Sequence, residues 1–171
     1  MEKVTKRTIT NFLNTEYLNY AFSVLEERAI PSVIDGFKPG ARKIMHASLA
    51  GTTKDGKLYK LLALSGDAMR VSLYAHGDGS LNSCIIGLGQ EFSDVIPPLY
   101  IEGQSGSLRD QDAVASPRYL YVKLSKYANL IYKTDYECLN YVFDEGEYLE
   151  PTHYLPIIPT VLTSRGIGMA P

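Results

Sequence analysis

"DGFKPGARKIMHASLAG", residues 35–51, changes character halfway along. Its first part is turn chemistry, with Asp35-Gly36 and Pro39-Gly40 set around Phe37. Its second part reads as a helix, opened by Pro39 and closed by Gly51. Arg42 and Lys43 fall in the first turn, where positive charge opposes the helix dipole. A nearby anion would relieve that opposition, and so would exposure to water.

On the N-terminal side, "FLNTEYLNYAFSVLEE" (12–27) repeats Leu13, Tyr17, Ala21 and Leu25 at i+4, a helix that ends at Pro31. On the C-terminal side, residues 51–57 form a loop or hairpin turn. A short helix over 60–72 is expected to break or bend near Gly66. "HGDGS" (76–80) makes a tight turn in which Asp78 or Ser80 can cap the next helix, 80–92. That helix carries Leu81, Ile85, Leu88 and Phe92 on one face. Gly79, Ser83 and Gly87 lie on another, a small-residue row that lets DNA, a helix or a second subunit come close.

After Pro97-Pro98 the pattern becomes extended. Residues 99–108 read as a strand and a glycine turn, and "RYLYVKLS" (118–125) alternates as a strand does. Residues 123–132 can turn helical, the acidic stretch 135–150 reads as irregular, and "YLPIIPTVL" (154–162) reads as a strand-like run punctuated by proline. Helices followed by a short β-hairpin give an α+β arrangement, the outline of a winged helix-turn-helix.

The 171 residues, 45% of them hydrophobic, suffice for one domain with a core. No stretch approaches the roughly 18 apolar residues of a membrane span. "MEKVTKRTIT" lacks the apolar segment of a signal peptide, so a soluble, cytoplasmic protein is expected. Cys84 and Cys138 match no metal or redox spacing and are expected to be buried free thiols. The net charge of −2 argues against a general nucleic-acid binder, but its distribution is uneven. Residues 28–70 hold eight basic side chains against three acidic ones, while residues 135–150 hold six acidic ones and no base. Such asymmetry points to a polyanion partner on one side, or to chance clustering on a solvated surface.

"SPRYLYV" (116–122) carries the candidate chemistry. A tyrosine hydroxyl, with an ordinary pKa of about 10, attacks a phosphodiester only with help. It needs a cation for the developing charge, a proton acceptor and rigid placement. Arg118 supplies a fork that fits phosphate oxygens, His76 is a candidate for proton transfer, and Pro117 stiffens the approach. In a regular strand, however, Arg118 and Tyr119 would point to opposite faces. Convergence requires them to sit at a loop end, or to grip the phosphate from two sides; otherwise Tyr119 is an ordinary strand tyrosine.

"YLNYAFSVLEERAIPSVIDGFKPGARKIMHA" (17–47), "AHGDGS" (75–80), "EGQSGS" (102–107), "ASPRY" (115–119) and "YLPIIPTVL" (154–162) occur in this order. Together they resemble the DNA breakage–reunion region of type IIA topoisomerases, nearer to the eukaryotic and phage branch than to gyrase. The resemblance covers the chain from about residue 15 onward. It implies a DNA-gate winged helix-turn-helix over 15–148, preceded by an N-terminal arm (1–14) and followed by the start of a tower-type β segment (149–171). By it Tyr119 matches the tyrosine that forms a reversible 5′-phosphotyrosyl bond, and Arg118 the arginine on the scissile phosphate. Arg28 matches a second active-site arginine and His76 a histidine near the cut. A surface ion pair for Arg28 and a turn-capping role for His76 are the alternatives. Lys38, Arg42 and Lys43 fall on the DNA-gate surface. Ser80 and Ser83 belong to the recognition helix, and Ile167 resembles the isoleucine that wedges between base pairs.

The departures are specific. Tyr74 and Ala75 stand where the family places a second histidine, and the "TSR" loop before Gly166 is shorter than usual by about two residues. No ATPase domain and no acidic Toprim-type metal cluster is present, and the chain stops in "GIGMAP". The resemblance thus implies part of an ATP-hydrolysing type II topoisomerase that works on double-stranded DNA as a homodimer. Mg²⁺ would come from a partner Toprim domain and ATP would bind a partner ATPase domain, so the isolated piece should be inactive alone. The alternative is a winged-helix DNA-binding or architectural module that no longer cleaves.

Overall fold

The computed structural model describes residues 6–51, 53, 55–74, 77–132 and 136–163. Its N-terminal helical run alternates α and π geometry: α1 (Ile9–Phe12), a π turn (Leu13–Tyr17), α2 (Leu18–Val24) and a second π turn (Leu25–Ala29). The Thr8 side chain caps it, accepting the Asn11 N–H. Over Ile9–Val24 no residue is buried. The expected arm boundary at residue 14 therefore falls inside a continuous helix.

Helix α3 (Pro39–Ala50) begins as its residues predict: Lys38 is the extended N-cap and Pro39 the first helical residue. It packs Ala41, Ile44, Met45 and Ala47 inward. Helix α4 (Leu61–Val71) runs unbroken through Gly66, and α5 (Asp78–Leu88) starts two residues earlier than expected, with Gly77 as N-cap and no side-chain cap. The three helices pack on one another around Ile44, Met45, Leu61, Leu64, Leu81 and Ile85, all essentially without exposure.

One side of this core is closed by a small antiparallel sheet of order β1-β3-β2, with β1 at Tyr59–Lys60, β2 at Leu99–Glu102 and β3 at Tyr121–Leu124. Leu99 faces Leu124 and Ile101 faces Val122, and all four are buried. The outward Lys123 ammonium lies 4.8 Å from the Tyr100 ring centroid. Three helices with a two-stranded wing make the α+β winged-helix arrangement that the sequence outlined.

Beyond β3, α6 (Ala128–Tyr132) completes the core. The acidic stretch is not irregular throughout. It contains a hairpin of β4 (Tyr141–Asp144) and β5 (Glu147–Pro151), joined through Glu145 and Gly146, both at positive φ (47° and 89°). Two such residues make the turn whose twist suits a hairpin. The expected boundary at 148/149 thus falls inside β5, which packs against α3. Residues 154–159, expected to be extended, form no strand; Thr160–Leu162 make a 3₁₀ turn. Cys138 is exposed rather than buried.

Candidate nucleic-acid interface

Tyr119 does not lie in a strand. Pro117–Tyr119 form a single 3₁₀ turn, closed by Tyr119 N–H to Ser116 O at 2.9 Å and Leu120 N–H to Pro117 O at 3.3 Å. With about three residues per turn, Arg118 and Tyr119 are not forced to opposite faces as they would be in a strand. Both are exposed, Tyr119 at 68%. The turn is held by the next residue: Leu120 is fully buried, and its carbonyl accepts the Leu61 N–H at the start of α4 at 3.0 Å.

The loop leading into this turn is fastened to the end of α5. Gln90 Nε2 donates to Ser105 O at 2.7 Å, and Ala115 N–H donates to Gln104 O at 2.8 Å. Gly103 sits at φ +123° with the Leu120 side chain pressed against its Cα, where a Cβ would meet Cδ2 at 2.7 Å. Gly103 belongs to the "EGQSGS" motif, but Gln90 does not stand out in the sequence. The role of Gln90 depends on a contact between the end of α5 and the loop at Ser105 that no local pattern encodes.

Three of the basic residues of the first half line a groove of about 880 Å³ between the N-terminal helical run, the start of α3 and the start of α5. Arg28, Lys38, Lys43, Tyr20, Tyr74 and Ser80 are among its lining residues, and none of the lining residues among those described is acidic. Cys84 also lines it; burial pushes its thiol up to about 11, against the pull of the Lys38 ammonium, so it is no reactive thiolate. Ser83 is exposed one turn beyond Ser80, with its hydroxyl donating to Gly79 O at 3.0 Å. Among the described residues, a Cβ at Gly79 or Gly87 would meet nothing within 4 Å, so the small-residue face of α5 is open there.

Arg42, which the family resemblance puts on the DNA-gate surface with Lys38 and Lys43, is buried, and its guanidinium grips Asp35 through Nε–Oδ2 at 2.8 Å and Nη2–Oδ1 at 3.1 Å. The second nitrogen also donates to Phe37 O at 3.2 Å. The anion that relieves the first turn of α3 is internal. Lys43 is half-engaged in the same way, donating to Ser72 O at 3.0 Å and to Glu150 Oε1 at 2.6 Å. His76 and Ile167 lie outside the described residues.

Tyr119 and the groove are not brought together within one chain. The tyrosine turn joins the N-terminal end of α4, whereas Leu73 and Tyr74 of the groove follow its C-terminal end. Eleven helical residues separate those ends by about 16 Å. Among the described residues, no group of three or more His, Cys, Asp or Glu side chains is placed to hold a metal ion. No helix among them is long and apolar enough to cross a membrane.

Residues 28–170 match the protein family of the DNA gyrase/topoisomerase IV A subunits. The chain is 37% identical over 166 residues to DNA topoisomerase 2 of Crithidia fasciculata, covering 95% of this chain and 13% of that protein. It is 38% identical over 174 residues to DNA topoisomerase 2 of Arabidopsis thaliana, covering 98% of this chain and 12% of that one. Its fold matches the Plasmodium falciparum topoisomerase II DNA-binding, cleavage and re-ligation domain at a TM-score of 0.78 and 34% identity, over 94% of this chain and 23% of that chain. The chain therefore spans only about an eighth of the length of these curated relatives. The match of fold, and of sequence over most of its length, places the chain in the family of the DNA gyrase/topoisomerase IV A subunits.

Proposed function

We propose that the chain is the DNA-cleaving and DNA-rejoining part of a type IIA topoisomerase, with Tyr119 as nucleophile. The phenol oxygen attacks a backbone phosphorus, the bond from phosphorus to the 3′ oxygen breaks, and the tyrosine's proton leaves as the 3′ hydroxyl gains one. The 5′-phosphotyrosyl link keeps the energy of the phosphodiester, so the reverse attack reseals the strand without a separate energy source. The observation that carries this assignment is Tyr119 itself: exposed, on a turn pinned by a buried neighbour, with Arg118 beside it.

Arg28 and His76 are assigned to the phosphate and to proton transfer. Lys38, Ser80 and Ser83 are assigned to the DNA backbone, which gives affinity without sequence information, and Ile167 to bending the duplex; Lys43 lies at the same surface with its charge taken up by Glu150. Two copies are required, because a duplex has two strands and each chain carries one such tyrosine. The separation of Tyr119 from the groove fits that requirement, since a second copy can bring its own tyrosine to the groove. In keeping with the family, Mg²⁺ is assigned to a Toprim-bearing partner and ATP to its ATPase domain.

The test is reconstitution with such a partner, Mg²⁺, ATP and duplex DNA. Wild-type chain should leave protein on 5′ ends, and Tyr119→Phe should abolish the adduct while still binding DNA. An adduct that persists in the phenylalanine variant refutes the assignment. DNA binding with no adduct from wild type would identify the non-cleaving module instead.

A further inference from the structure

Lys43 is a groove cation with an internal carboxylate partner that the sequence gives no reason to expect. Its ammonium bonds Glu150 Oε1 at 2.6 Å, and Glu150 comes from β5, more than a hundred residues along the chain. The Glu150 side chain is 7% exposed and that of Lys43 is 19%. The other carboxylate oxygen, Oε2, is buried with no hydrogen-bond partner among the described residues. A buried carboxylate needs a compensating cation, and Lys43 is the cation bonded to it. A phosphate that drew Lys43 away would leave that carboxylate, among the described residues, without the one donor bonded to it.

We propose that Glu150 acts as an internal competitor for the groove, an anion carried on the β4–β5 hairpin that occupies Lys43 and so lowers the affinity of the groove for a phosphate backbone. Of the basic side chains that line the groove, Lys43 then contributes no net charge to DNA binding. The placement of the hairpin against α3 sets how much positive charge the groove offers. This inference rests on the groove being a DNA-backbone site, as proposed above.

The experiment measures binding of the full 171-residue chain to a short blunt-ended duplex by fluorescence anisotropy, across a salt series. Glu150→Gln keeps the shape and an acceptor for Lys43 while removing the charge. It is expected to bind several-fold tighter at low salt, with a slope of log K against log salt steeper by up to about one. The double variant Lys43→Met/Glu150→Gln removes both charges together, leaves no uncompensated ion, and should keep the wild-type slope. A folded Glu150→Gln variant with unchanged or weaker binding overturns the proposal. So does a double variant whose slope is shallower by about one, which decides the matter even if the single variant fails to fold. Absence of any salt-dependent binding by wild type would refute the groove reading itself, and this inference with it.

Discussion

Asp35 holds Arg42 by both carboxylate oxygens, at 2.8 and 3.1 Å, inside the protein. The same carboxylate accepts the Phe37 N–H at 3.0 Å and the Tyr154 N–H at 2.9 Å, and the Asp35 carbonyl accepts the Thr160 hydroxyl at 2.8 Å. One fully buried residue thereby joins the turn before α3 to two segments near the C-terminal end of the described chain. Removing one partner of such a pair leaves an uncompensated charge and orphaned donors. Asp35→Ala should cost about 3–5 kcal/mol, measured as a lower urea midpoint. Asp35→Leu with Arg42→Met should cost less than Asp35→Ala alone, because no charge is then left buried.

Gly103 tests the support beneath Tyr119. Its φ of +123° is a conformation that side-chain-bearing residues rarely adopt, and an added Cβ would meet Leu120 Cδ2 at 2.7 Å. Gly103→Ala should destabilise the chain by about 1–3 kcal/mol. Leu120 anchors the Pro117–Tyr119 turn, so its displacement should also slow adduct formation in the reconstituted enzyme, while the salt dependence of DNA binding stays unchanged. Equal cleavage rates for wild type and a folded Gly103→Ala variant would show that the turn does not need this support.

His46 makes stability depend on pH. Burial holds its imidazole below the ordinary 6.5, with the Glu150 carboxylate acting in the opposite sense and the Lys43 ammonium adding to the depression. The folded state therefore keeps the ring neutral where the unfolded chain has begun to protonate it. The contribution is whole above pH 6.5 and is lost as pH falls from there through the folded value. Urea midpoints should decline from about pH 7 down to the folded pKa of the ring. His46→Gln, which also loses the 3.4 Å contact to the Tyr154 hydroxyl, should start lower and show a smaller decline. A decline of the same size in the variant would assign it to other groups.

The helices were legible because their signals are local. Pro39 and Gly51 bound α3, and the i+4 apolar spacing marks the N-terminal run. The wing was legible from alternation, Leu99 and Ile101 against Val122 and Leu124. The hairpin of β4 and β5 was hidden because its turn is Glu145-Gly146, set among carboxylates that read as solvated loop. Pro156 and Pro159 removed the strand expected over 154–162. At the candidate site, sequence spacing identified which side chains are cations but not which way they face. That was settled by Asp35 and Glu150, one seven residues from its arginine and the other far along the chain.

"KPGARK" accordingly contains three cations in three different states, and their substitution should separate them. Lys38 lines the groove, Arg42 is locked to Asp35 in the core, and Lys43 is held by Glu150 between the two. A cation that neutralises one phosphate steepens the slope of log K against log salt by about 0.9. Lys38→Gln should flatten that slope by about this amount and weaken binding to all duplex sequences alike, since backbone contacts carry no base information. Arg28→Gln should do the same if Arg28 grips phosphate, and the two effects should add. Arg42→Gln should instead lower the unfolding midpoint, and any folded fraction should keep the wild-type slope. If Arg42→Gln flattens the slope without loss of stability, the buried pair must open when DNA binds, and the guanidinium is a DNA contact after all.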